Sequence, residues 1–304
     1  MSRVLVVGSY NRDLNFAMDR MPVAGETVLG ARLIEGPGGK GSNQAFQAAL
    51  AGAEVAMFAA LGDDAAGREA VERWRRAGID TGIVVAKRGV ATGSAAILVE
   101  RGGENRIVVA SGANAALSPA DLRRAARAVD GARVVVGQLE IPMATTKAAF
   151  GRARKAGATT ILNTAPVTSP LPSGFLAPVD IVIANEIEAR ALTGLSARSR
   201  PDALAPALAR YALRAAIVTA GARGAWLSTT DGAHLHIPAF RTKVVDTTGA
   251  GDAFVGAFAA RLAVGADIAE AVRWGTAAGS LACRSRGAAA SYADRRAIAA
   301  LVGR

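Results

Sequence analysis

The sequence contains little sulfur and few imidazole groups. Its 304 residues include one cysteine, Cys283, and two histidines, His234 and His236. A single thiol cannot form a disulfide within the chain, so a disulfide framework is excluded and a reducing compartment fits. We expect Cys283 to be a buried structural thiol. We expect the two histidines, which alternate along the strand-like AHLHIP, to occupy surface strand positions and not a zinc site.

Long hydrophobic runs are also missing. No run is long enough to cross a bilayer, and the N-terminal residues MSRVLVVGSYN enter a strand-like segment without the features of a signal peptide. We therefore expect a cytoplasmic protein with no membrane partner. With 51% hydrophobic and 20% charged residues, the composition is typical of an ordinary globular protein.

Aromatic residues make up only 5% of the chain, whereas 36 basic residues against 25 acidic ones give a formal charge of +11. Such a charge suits an anionic partner, either a nucleic acid or a nucleotide. The basic residues, however, fall as pairs on helical stretches such as ERWRRAG, with few aromatic side chains between them. This pattern indicates solvated helix faces, and we expect no nucleic-acid partner.

Short runs rich in valine and isoleucine alternate with amphipathic helical stretches, as they do in βαβ units. This alternation predicts an α/β fold with a mostly parallel central sheet flanked by helices. The runs that are typical of fully buried strands are residues 3–8, 54–62, 133–138, 159–163, 180–185 and 215–221.

The first third of the chain interrupts this alternation with strand-like segments that have no helices between them. They include DLNFAM, TVLGARLIE and a hairpin, TGSAAILVE and NRIVVASG, joined by a turn at 101–104. These segments predict a small β-sheet lid, residues 12–35 and 90–111, on an α/β domain made of 1–11, 36–89 and 112–304. In chain order they enclose the glycine-rich stretch GPGGKGSNQ, so the lid is placed to close over it.

The early glycine cluster, GPGGKGSNQ at 36–44, has the composition of a phosphate-binding loop. A Walker A loop requires the lysine to be followed directly by serine or threonine, because that hydroxyl must reach the magnesium ion. Here Gly41 separates Lys40 from Ser42. The stretch is therefore not a Walker A loop, and its ligand is left open by the motif itself.

A second glycine cluster, DTTGAGDAF at 246–254, leads into the helical stretch AFVGAFAARLA. Small residues at the start of a helix leave backbone N–H groups free to bind an anion. Asp252 either caps this helix or accepts a proton from a hydroxyl that attacks a bound phosphate, since a carboxylate there would otherwise repel the ligand.

Together the two clusters resemble the signatures of the ribokinase-like (PfkB-type) carbohydrate kinase family. GGKGSNQA and DTTGAGDAF carry the resemblance, and GSYNRD, QLE and NEIE match further landmarks over essentially the whole chain. The resemblance implies an ATP-dependent sugar kinase that transfers the γ-phosphoryl group to the primary 5-hydroxyl of D-ribose, with Asp252 as the general base. It also implies that Gly249, Ala250 and Gly251 hold the phosphate being transferred.

In this family the early loop holds the sugar, whose hydroxyls need partners once a lid excludes water. Taken singly, Asp13 is equally typical of a turn, Lys40 of a surface charge and Glu140 of a helix start. The resemblance implies that the sugar-binding residues are Asn11, Asp13, Gly39, Lys40, Asn43, Glu140 and Asp252.

The resemblance also assigns the nucleotide side. Asn185 and Glu188 of NEIE match an element that helps hold Mg²⁺ and its waters, although their spacing is equally that of a helix-capping pair. Thr219, Gly221 and Gly224 fall in the loop expected beside the ATP phosphates and ribose, and Thr276 falls at the expected adenine pocket. Thr276 is equally typical of simple packing on an alanine-rich helix.

A monovalent cation is a third implied ligand, because K⁺ is bound around the late loop in this family. Hard oxygen ligands suit such an ion. The C-terminal loop CRSRGAAAS departs from the family pattern, which weakens this assignment. The matching positions are Asp246, Thr248, Ala282, Ser285, Gly287 and Ser291.

Several alternatives stay open at this stage. Arg12, next to the sugar loop, suits an acidic sugar such as 2-keto-3-deoxygluconate, although we expect it to face solvent. Fructose and adenosine are other candidate acceptors. A sugar-sensing module without turnover would be expected to lack Asp252, which is present, and a dinucleotide-binding oxidoreductase would need Gly-x-Gly-x-x-Gly after the first strand, which is absent.

The lid also predicts a homodimer. One lid face would cover the sugar, and we expect the other to carry Phe16, Leu33, Ile97 and Val99, which are too few to bury themselves alone. The same sheet of a second chain would cover them in a two-fold dimer, as the resemblance also implies. The alternative is that these residues pack on their own α/β body.

Overall fold

The structure is a computed structural model of the chain, and it describes residues 3–102, 104–167 and 170–303. The strands are β1 (Arg3–Val7), β2 (Asn11–Met18), β3 (Arg32–Gly38), β4 (Glu54–Phe58), β5 (Ala60–Gly62), β6 (Val85–Lys87), β7 (Ser94–Glu100), β8 (Asn105–Ala110), β9 (Val134–Gly137), β10 (Thr159–Asn163), β11 (Ile181–Asn185), β12 (Ala215–Thr219), β13 (Ala225–Thr229) and β14 (His234–Ile237). The helices are α1 (Lys40–Leu50), α2 (Ala65–Arg76), α3 (Leu122–Asp130), α4 (Met143–Lys155), α5 (Glu186–Thr193), α6 (Pro201–Ala209), α7 (Ala250–Ala263), α8 (Ile268–Ala282) and α9 (Arg295–Val302).

The central sheet has the strand order β14-β13-β12-β11-β10-β9-β1-β4. Neighbours from β12 to β4 are parallel, and β13 and β14 extend the sheet as antiparallel strands. The α/β fold with a mostly parallel sheet is thus confirmed. The run at 54–62, however, is two strands and not one, because the chain leaves the central sheet after β4 and β5 pairs with β6 in a separate two-stranded sheet.

Two hydrophobic cores cover the two faces of the central sheet. Val4 and Val6 of β1 point into a core formed with α1, α2, α7, α8 and α9. Leu5 and Val7 point to the other face, against α3, α4, α5 and α6. Strands buried on both faces have continuous apolar sequences, which is why the valine and isoleucine runs identified them.

The small sheet has the order β3-β2-β7-β8. Its strands lie within the two predicted lid segments, apart from a few residues at the ends nearest the body; Gly103, in the predicted turn at 101–104, lies outside the described residues. The division of the chain into lid and body at residues 12–35 and 90–111 remains a prediction.

The apolar lid residues do not share one face, and this part of the sequence prediction is wrong. Phe16 pairs with Leu33 and Leu98, whereas Ile97 pairs with Asn15 and Ile107. Since successive side chains of a strand alternate between faces, Ile97 and Val99 lie on the face of Asp13, and Phe16 and Leu33 lie on the opposite face. We call this second face, with Leu14, Phe16, Leu33, Leu98 and Val108, the outer lid face.

The cysteine and the two histidines lie in different surroundings. Cys283, just after α8, is half-buried and not buried, because the helix ends there and an exposed loop follows. His234 and His236 are exposed on β14, as expected, and the ring of His236 stacks on Trp226 with centroids 4.0 Å apart. Within 3–102, 104–167 and 170–303, no helix is long and apolar enough to cross a membrane.

Candidate active site

The candidate residues gather at the carboxyl edge of the parallel strands. Residues 9–11 follow β1, residues 138–140 follow β9, and Asn163, Asn185 and Thr219 end β10, β11 and β12. The carboxyl ends of neighbouring parallel strands meet at one edge, where ligands of open α/β sheets bind. The sheet topology therefore brings together segments that lie far apart in sequence.

Helix α1 begins in the early glycine cluster, and its first N–H groups already have acceptors. Gly39 is the N-cap, with a φ of +84°. The N–H of Lys40 donates to Glu140 Oε2 at 2.8 Å, and the N–H groups of Gly41 and Ser42 donate to Ser9 Oγ at 3.3 Å and Ser9 O at 2.9 Å. The Ser9 hydroxyl in turn donates to Glu140. This helix start is occupied by the protein's own oxygens.

The close approach of α1 to the end of β1 depends on Gly41. A Cβ atom at this position would lie 2.5 Å from the backbone nitrogen of Ser9 and 2.8 Å from the carbonyl carbon of Gly8. Real Cβ atoms are not found at such distances from backbone, so only glycine fits here.

Helix α7 begins in the late glycine cluster, and its first N–H groups are largely free. Gly249, the N-cap, has a φ of +75°, and its carbonyl accepts a hydrogen bond from the Tyr292 hydroxyl at 3.1 Å. The N–H of Ala250 donates to Thr247 O at 3.2 Å. Within the described part of the chain, no acceptor meets the N–H groups of Gly249, Gly251 or Asp252.

Space for a ligand is present at the same point of α7. A Cβ atom at Gly251 would have nothing within 4 Å. Free N–H groups at the positive end of a helix attract an anion, and the open space lets one approach.

Asp252 lies in the first turn of α7 and is only 7% exposed. The side-chain amide of Asn43 donates to its Oδ2 at 3.1 Å, and that of Gln44 donates to its Oδ1 at 2.9 Å. Both donors belong to α1. The carboxylate thus lies where the two glycine-rich helix starts meet.

Two of the side chains assigned to the sugar, Asp13 and Lys40, lie close enough to this carboxylate to interact with its charge. Asn11 is buried, and its Oδ1 accepts from Asn114 Nδ2 at 2.9 Å. The Asp13 carboxylate lies against Gly38, and burial together with the charges of Glu140 and Asp252 raises the pKa of Asp13 to about 7. Desolvation of a carboxyl group beside other carboxylates favours its neutral form.

Lys40 is the cation of this cluster. Burial alone would lower its pKa, but the carboxylates of Asp252, Glu140 and Glu188 outweigh burial and raise the pKa of Lys40 above its ordinary value. The ammonium group therefore stays charged among three acidic side chains, and it can donate to a hydroxyl or to a phosphate oxygen.

On the nucleotide side, Asn185 and Glu188 form a capping box at the start of α5. The N–H of Glu188 donates to Asn185 Oδ1 at 2.9 Å, and the N–H of Asn185 donates to Glu188 Oε2 at 3.0 Å. Burial raises the pKa of Glu188, although the hydrogen bond from the Asn185 N–H to its carboxylate and the charge of Lys40 oppose the rise. The capping role expected from the spacing is present, and a role toward Mg²⁺ does not conflict with it.

The loop after β12 has a backbone that favours glycine at two positions. Gly221 and Gly224 have φ angles of +54° and +89°, and a Cβ at Gly224 would lie 2.6 Å from the backbone nitrogen of Ala239. Thr219 ends the strand beside this loop. Thr276 is buried on α8, and its hydroxyl donates to Val272 O of the same helix at 2.8 Å, as a packing residue would.

The late loop is tied to the C-terminal loop through Asp246. Its Oδ1 accepts from the N–H of Thr248 and its Oδ2 from the N–H of Gly287, each at 2.9 Å. Burial would raise the pKa of Asp246, but these hydrogen bonds hold it below its ordinary value. Of the other proposed cation ligands, Ala282 is buried at the end of α8, Ser285 is exposed, and the Ser291 hydroxyl donates to Ala288 O.

Four polar residues that were not predicted from the motifs complete this edge: Ser9, Gln44, Gln138 and Asn163. All are at most 8% exposed. Their signal was a polar side chain placed directly after an apolar strand, or within the otherwise buried stretch of α1. Polar groups without water need protein partners, so such positions indicate a hydrogen-bonded network.

Comparisons with known proteins identify the family to which the chain belongs. The family model for pfkB family carbohydrate kinases matches residues 1–295. The chain is 40% identical to a ribokinase of Mus musculus over 263 residues, which make up 86% of this chain and 81% of that protein. It is 34% identical to a deoxyribokinase of Salmonella typhi over 95% of both proteins.

A solved structure of Arabidopsis thaliana ribokinase, complexed with ribose and ATP, matches with a TM-score of 0.90 at 30% identity over 98% of both chains. A ribokinase structure from Thermotoga maritima also matches with a TM-score of 0.90, at 30% identity over 99% of both chains. The chain belongs to the pfkB family of carbohydrate kinases and is a phosphotransferase.

Proposed function

We propose that this kinase transfers the γ-phosphoryl group of ATP to the primary 5-hydroxyl of D-ribose. The observation that carries the proposal is the position of Asp252, a buried carboxylate between an occupied helix start that suits a neutral polyol and a free one that suits phosphate. The relatives named ribokinase, and the ribose and ATP of the Arabidopsis complex, support the choice of sugar and nucleotide.

In the proposed reaction the 5-hydroxyl proton moves to Asp252 while the hydroxyl oxygen forms a bond to the γ-phosphorus. The bond between that phosphorus and the β–γ bridging oxygen breaks, and ADP leaves with the electron pair. The free N–H groups of Gly249, Gly251 and Asp252 donate to the transferring phosphoryl oxygens, where charge stabilisation supplies much of the catalysis. Ala250, also assigned to this role, helps through its place in the loop, since its own N–H is bonded to Thr247.

The remaining sugar hydroxyls would be bound by the side chains around Asp252. Lys40 donates, Asp13 and Glu140 accept, and Asn43 offers an Oδ1 atom that is buried and has no partner among the described residues. A buried acceptor without a donor costs free energy until a ligand supplies one. Asn11 and the backbone at Gly39 complete the proposed sugar site.

We assign Asn185 and Glu188 to the outer sphere of Mg²⁺. No group of three or more His, Cys, Asp or Glu side chains in the described ranges is arranged to hold a metal ion. The few acidic ligands fit a Mg²⁺ ion that is coordinated mainly by phosphates and water, with one or two carboxylates nearby. When bound, Mg²⁺ neutralises charge on the phosphates; Thr219, Gly221, Gly224 and Thr276 would contact the nucleotide.

We also propose that the loops joined by Asp246 bind K⁺. Asp246, Thr248 and Gly287 are linked by hydrogen bonds through the Asp246 carboxylate, and hard oxygens suit such an ion; carbonyls of Ala282, Ser285 and Ser291 would complete the site. Activity should be low without K⁺ and Na⁺, and it should rise when KCl replaces tetramethylammonium chloride at equal ionic strength. Activity that is indifferent to this exchange would refute the assignment.

The outer lid face supports a homodimer. Val108 is 68% exposed and Leu33 46%, whereas Leu14, Phe16 and Leu98 of the same face are half-buried. Light scattering should give twice the 30.8 kDa chain mass, and Val108→Asp should shift the protein to the monomer. A wild-type monomer at micromolar concentration would refute the dimer.

The sugar assignment is tested by an acceptor panel with ATP, read by ADP release. Ribose, 2-deoxyribose, fructose, 2-keto-3-deoxygluconate and adenosine are compared by kcat/KM. We expect ribose to be preferred. Deoxyribose is in the panel because of the Salmonella relative, and a preference for it would move the assignment to that sugar. Arg12 pairs with Glu35 on the lid face away from Asp13, which argues against an acidic sugar.

A further inference from the structure

A chain of buried amide side chains leads from the sheet edge to Asp252. Gln138 Nε2 donates to Gln44 Oε1 at 2.7 Å. Gln44 Nε2 donates both to Asn163 Oδ1 at 3.0 Å and to Asp252 Oδ1 at 2.9 Å, and Asn163 Nδ2 donates to Ile183 O at 3.2 Å. Gln44 is 0% and Gln138 1% exposed, so water does not compete for these groups.

The backbone carbonyl of Ile183 determines which atom of each amide side chain donates and which accepts. A backbone carbonyl can only accept, so Ile183 O requires Asn163 to present its NH₂ group to β11 and its oxygen to Gln44. Gln44 must then present its NH₂ group to Asn163 and Asp252, and its oxygen to Gln138. A flipped Gln44 amide would place its oxygen against two other acceptors.

Close packing of α1 on α7 brings this chain to the carboxylate. Gly256 lies one turn after Asp252 on α7, and a Cβ atom there would be 2.5 Å from the carbonyl oxygen of Gln44 and 2.9 Å from the backbone nitrogen of Ala48. The two helices therefore touch through backbone at this point. A side chain at position 256 would move Asp252 away from Gln44.

We propose that Gln44 is a positioning residue that holds Oδ1 of Asp252, so that Oδ2 accepts the sugar proton. Both hydrogens of Gln44 Nε2 are used and neither has another acceptor in the described residues. The bond from Asn43 to Oδ2 is longer, at 3.1 Å, and Asn43 also carries an unpaired Oδ1. A hydroxyl can therefore reach Oδ2 with Asn43 beside it. The proposal rests on the proposed role of Asp252 as general base.

The first test replaces Gln44 with the nearly isosteric methionine. Gln47→Met is the matched control, because Gln47 is another fully buried glutamine of α1, bonded to Ala293 O at 2.8 Å and not to Asp252. We expect Gln44→Met to lower kcat by about 10- to 100-fold, less than the roughly 10² to 10⁴ that a positioned base supplies, with an unchanged KM for ATP. Gln47→Met should stay within about twofold of the wild type.

The second test, Gln44→Glu, remains informative if the methionine variant does not fold. An ionised carboxylate at position 44 would repel Asp252, whereas a protonated carboxyl group there can donate its O–H to Oδ1. The ratio of kcat in this variant to kcat in the wild type should therefore rise as pH falls from about 8.5 to about 5.5, the range in which a buried carboxyl group beside another carboxylate takes up its proton. Lys40, Asp13, Glu188 and the Tyr292 hydroxyl also face Asp252, and because both proteins contain them, the wild-type pH profile measures what they contribute without the new carboxyl group.

Equal kcat in folded Gln44→Met and Gln47→Met, or a ratio for Gln44→Glu that does not change with pH, would overturn the positioning role. Failure of the underlying function gives a different result. If Asp252→Asn keeps wild-type turnover, Asp252 is not the general base. If Asp252→Asn is inactive but Gln44→Met has the kcat of the wild type, Asp252 keeps its assigned role and only the role of Gln44 is refuted.

Discussion

Helices α1 and α7 both begin at a glycine with a positive φ in a glycine-rich loop, and both point into the same site. At α1 the first N–H groups are bonded to Ser9 and Glu140, so a negative charge of the protein already occupies the helix start. At α7 the N–H groups of Gly251 and Asp252 have no acceptor among the described residues, and the space beside Gly251 is open. The ligand of such a loop is therefore set by what its amides already bind, and not by its glycine content.

The largest effect in this comparison should come from Asp252→Asn. The amide cannot accept the sugar proton, so we expect kcat to fall by about 10² to 10⁴. The free N–H groups of α7 are unchanged, so ATP binding measured by calorimetry should stay near the wild-type value. Turnover equal to the wild type would contradict the assigned mechanism.

Gly251→Val should close the open space at the start of α7. Its branched side chain would fill the space proposed for the transferred phosphoryl group, and we expect kcat/KM for ATP to fall by about 10²-fold, comparable to the loss of one oxyanion donor. Thermal unfolding should be nearly unchanged, since a Cβ here meets no neighbour. A variant that unfolds at a lower temperature but binds ATP normally would show that Gly251 is structural.

Gly41→Ala should give the opposite result at α1. Its Cβ would contact the backbone of Ser9 and Gly8, and overpacking of this kind costs about 1 to 3 kcal/mol of unfolding free energy. Urea unfolding compared with Gly251→Ala, the same change at the other helix start, isolates the effect. Equal stability of the two variants would mean that α1 can move away from β1.

The smallest effect concerns the pH dependence of the sugar side. The pKa of Asp13 is raised to about 7, so we expect kcat/KM for the sugar to fall several-fold as pH drops through 7, because protonated Asp13 no longer accepts hydroxyls on both oxygens. Asp13→Asn should lower kcat/KM at pH 8 and remove the fall of kcat/KM below pH 7. If kcat/KM of the variant still falls below pH 7, a group other than Asp13 is titrating.

The free energy of unfolding should decrease as pH rises, whereas kcat/KM for the sugar should increase. The folded pKa of Asp13 lies above the unfolded value of about 4, so its contribution to stability is complete below pH 4 and is lost as pH rises through 7. Asp13→Asn should therefore gain stability relative to the wild type between pH 4 and 8, as measured by urea unfolding at fixed ionic strength.

The sequence predicted the central sheet well because its strands are buried on both faces and leave continuous apolar runs. Two motifs singled out Asp252 and Lys40, which the structure brings into one cluster, while their roles stay predictions. The sequence did not predict Gln44 or Gln138 as partners of the site, since their bonds depend on how closely α1 approaches α7 at Gly256, which is a tertiary distance. The prediction that the apolar lid residues share one face was wrong for a similar reason. Phe16 and Ile97 both fit a strand, and only the pairing register decides which face each one occupies.

The contact at Gly256 also has a thermodynamic consequence. Because α1 and α7 touch through backbone there, and Asn43 and Gln44 bond to Asp252 across the contact, the proposed sugar and nucleotide sites share this helix pair as a common wall. A ligand that shifts one of these helices must also displace the other helix or break contacts with it. Binding of the sugar and binding of the nucleotide should thus carry a coupling free energy, and linkage requires that each substrate change the dissociation constant of the other by the same factor.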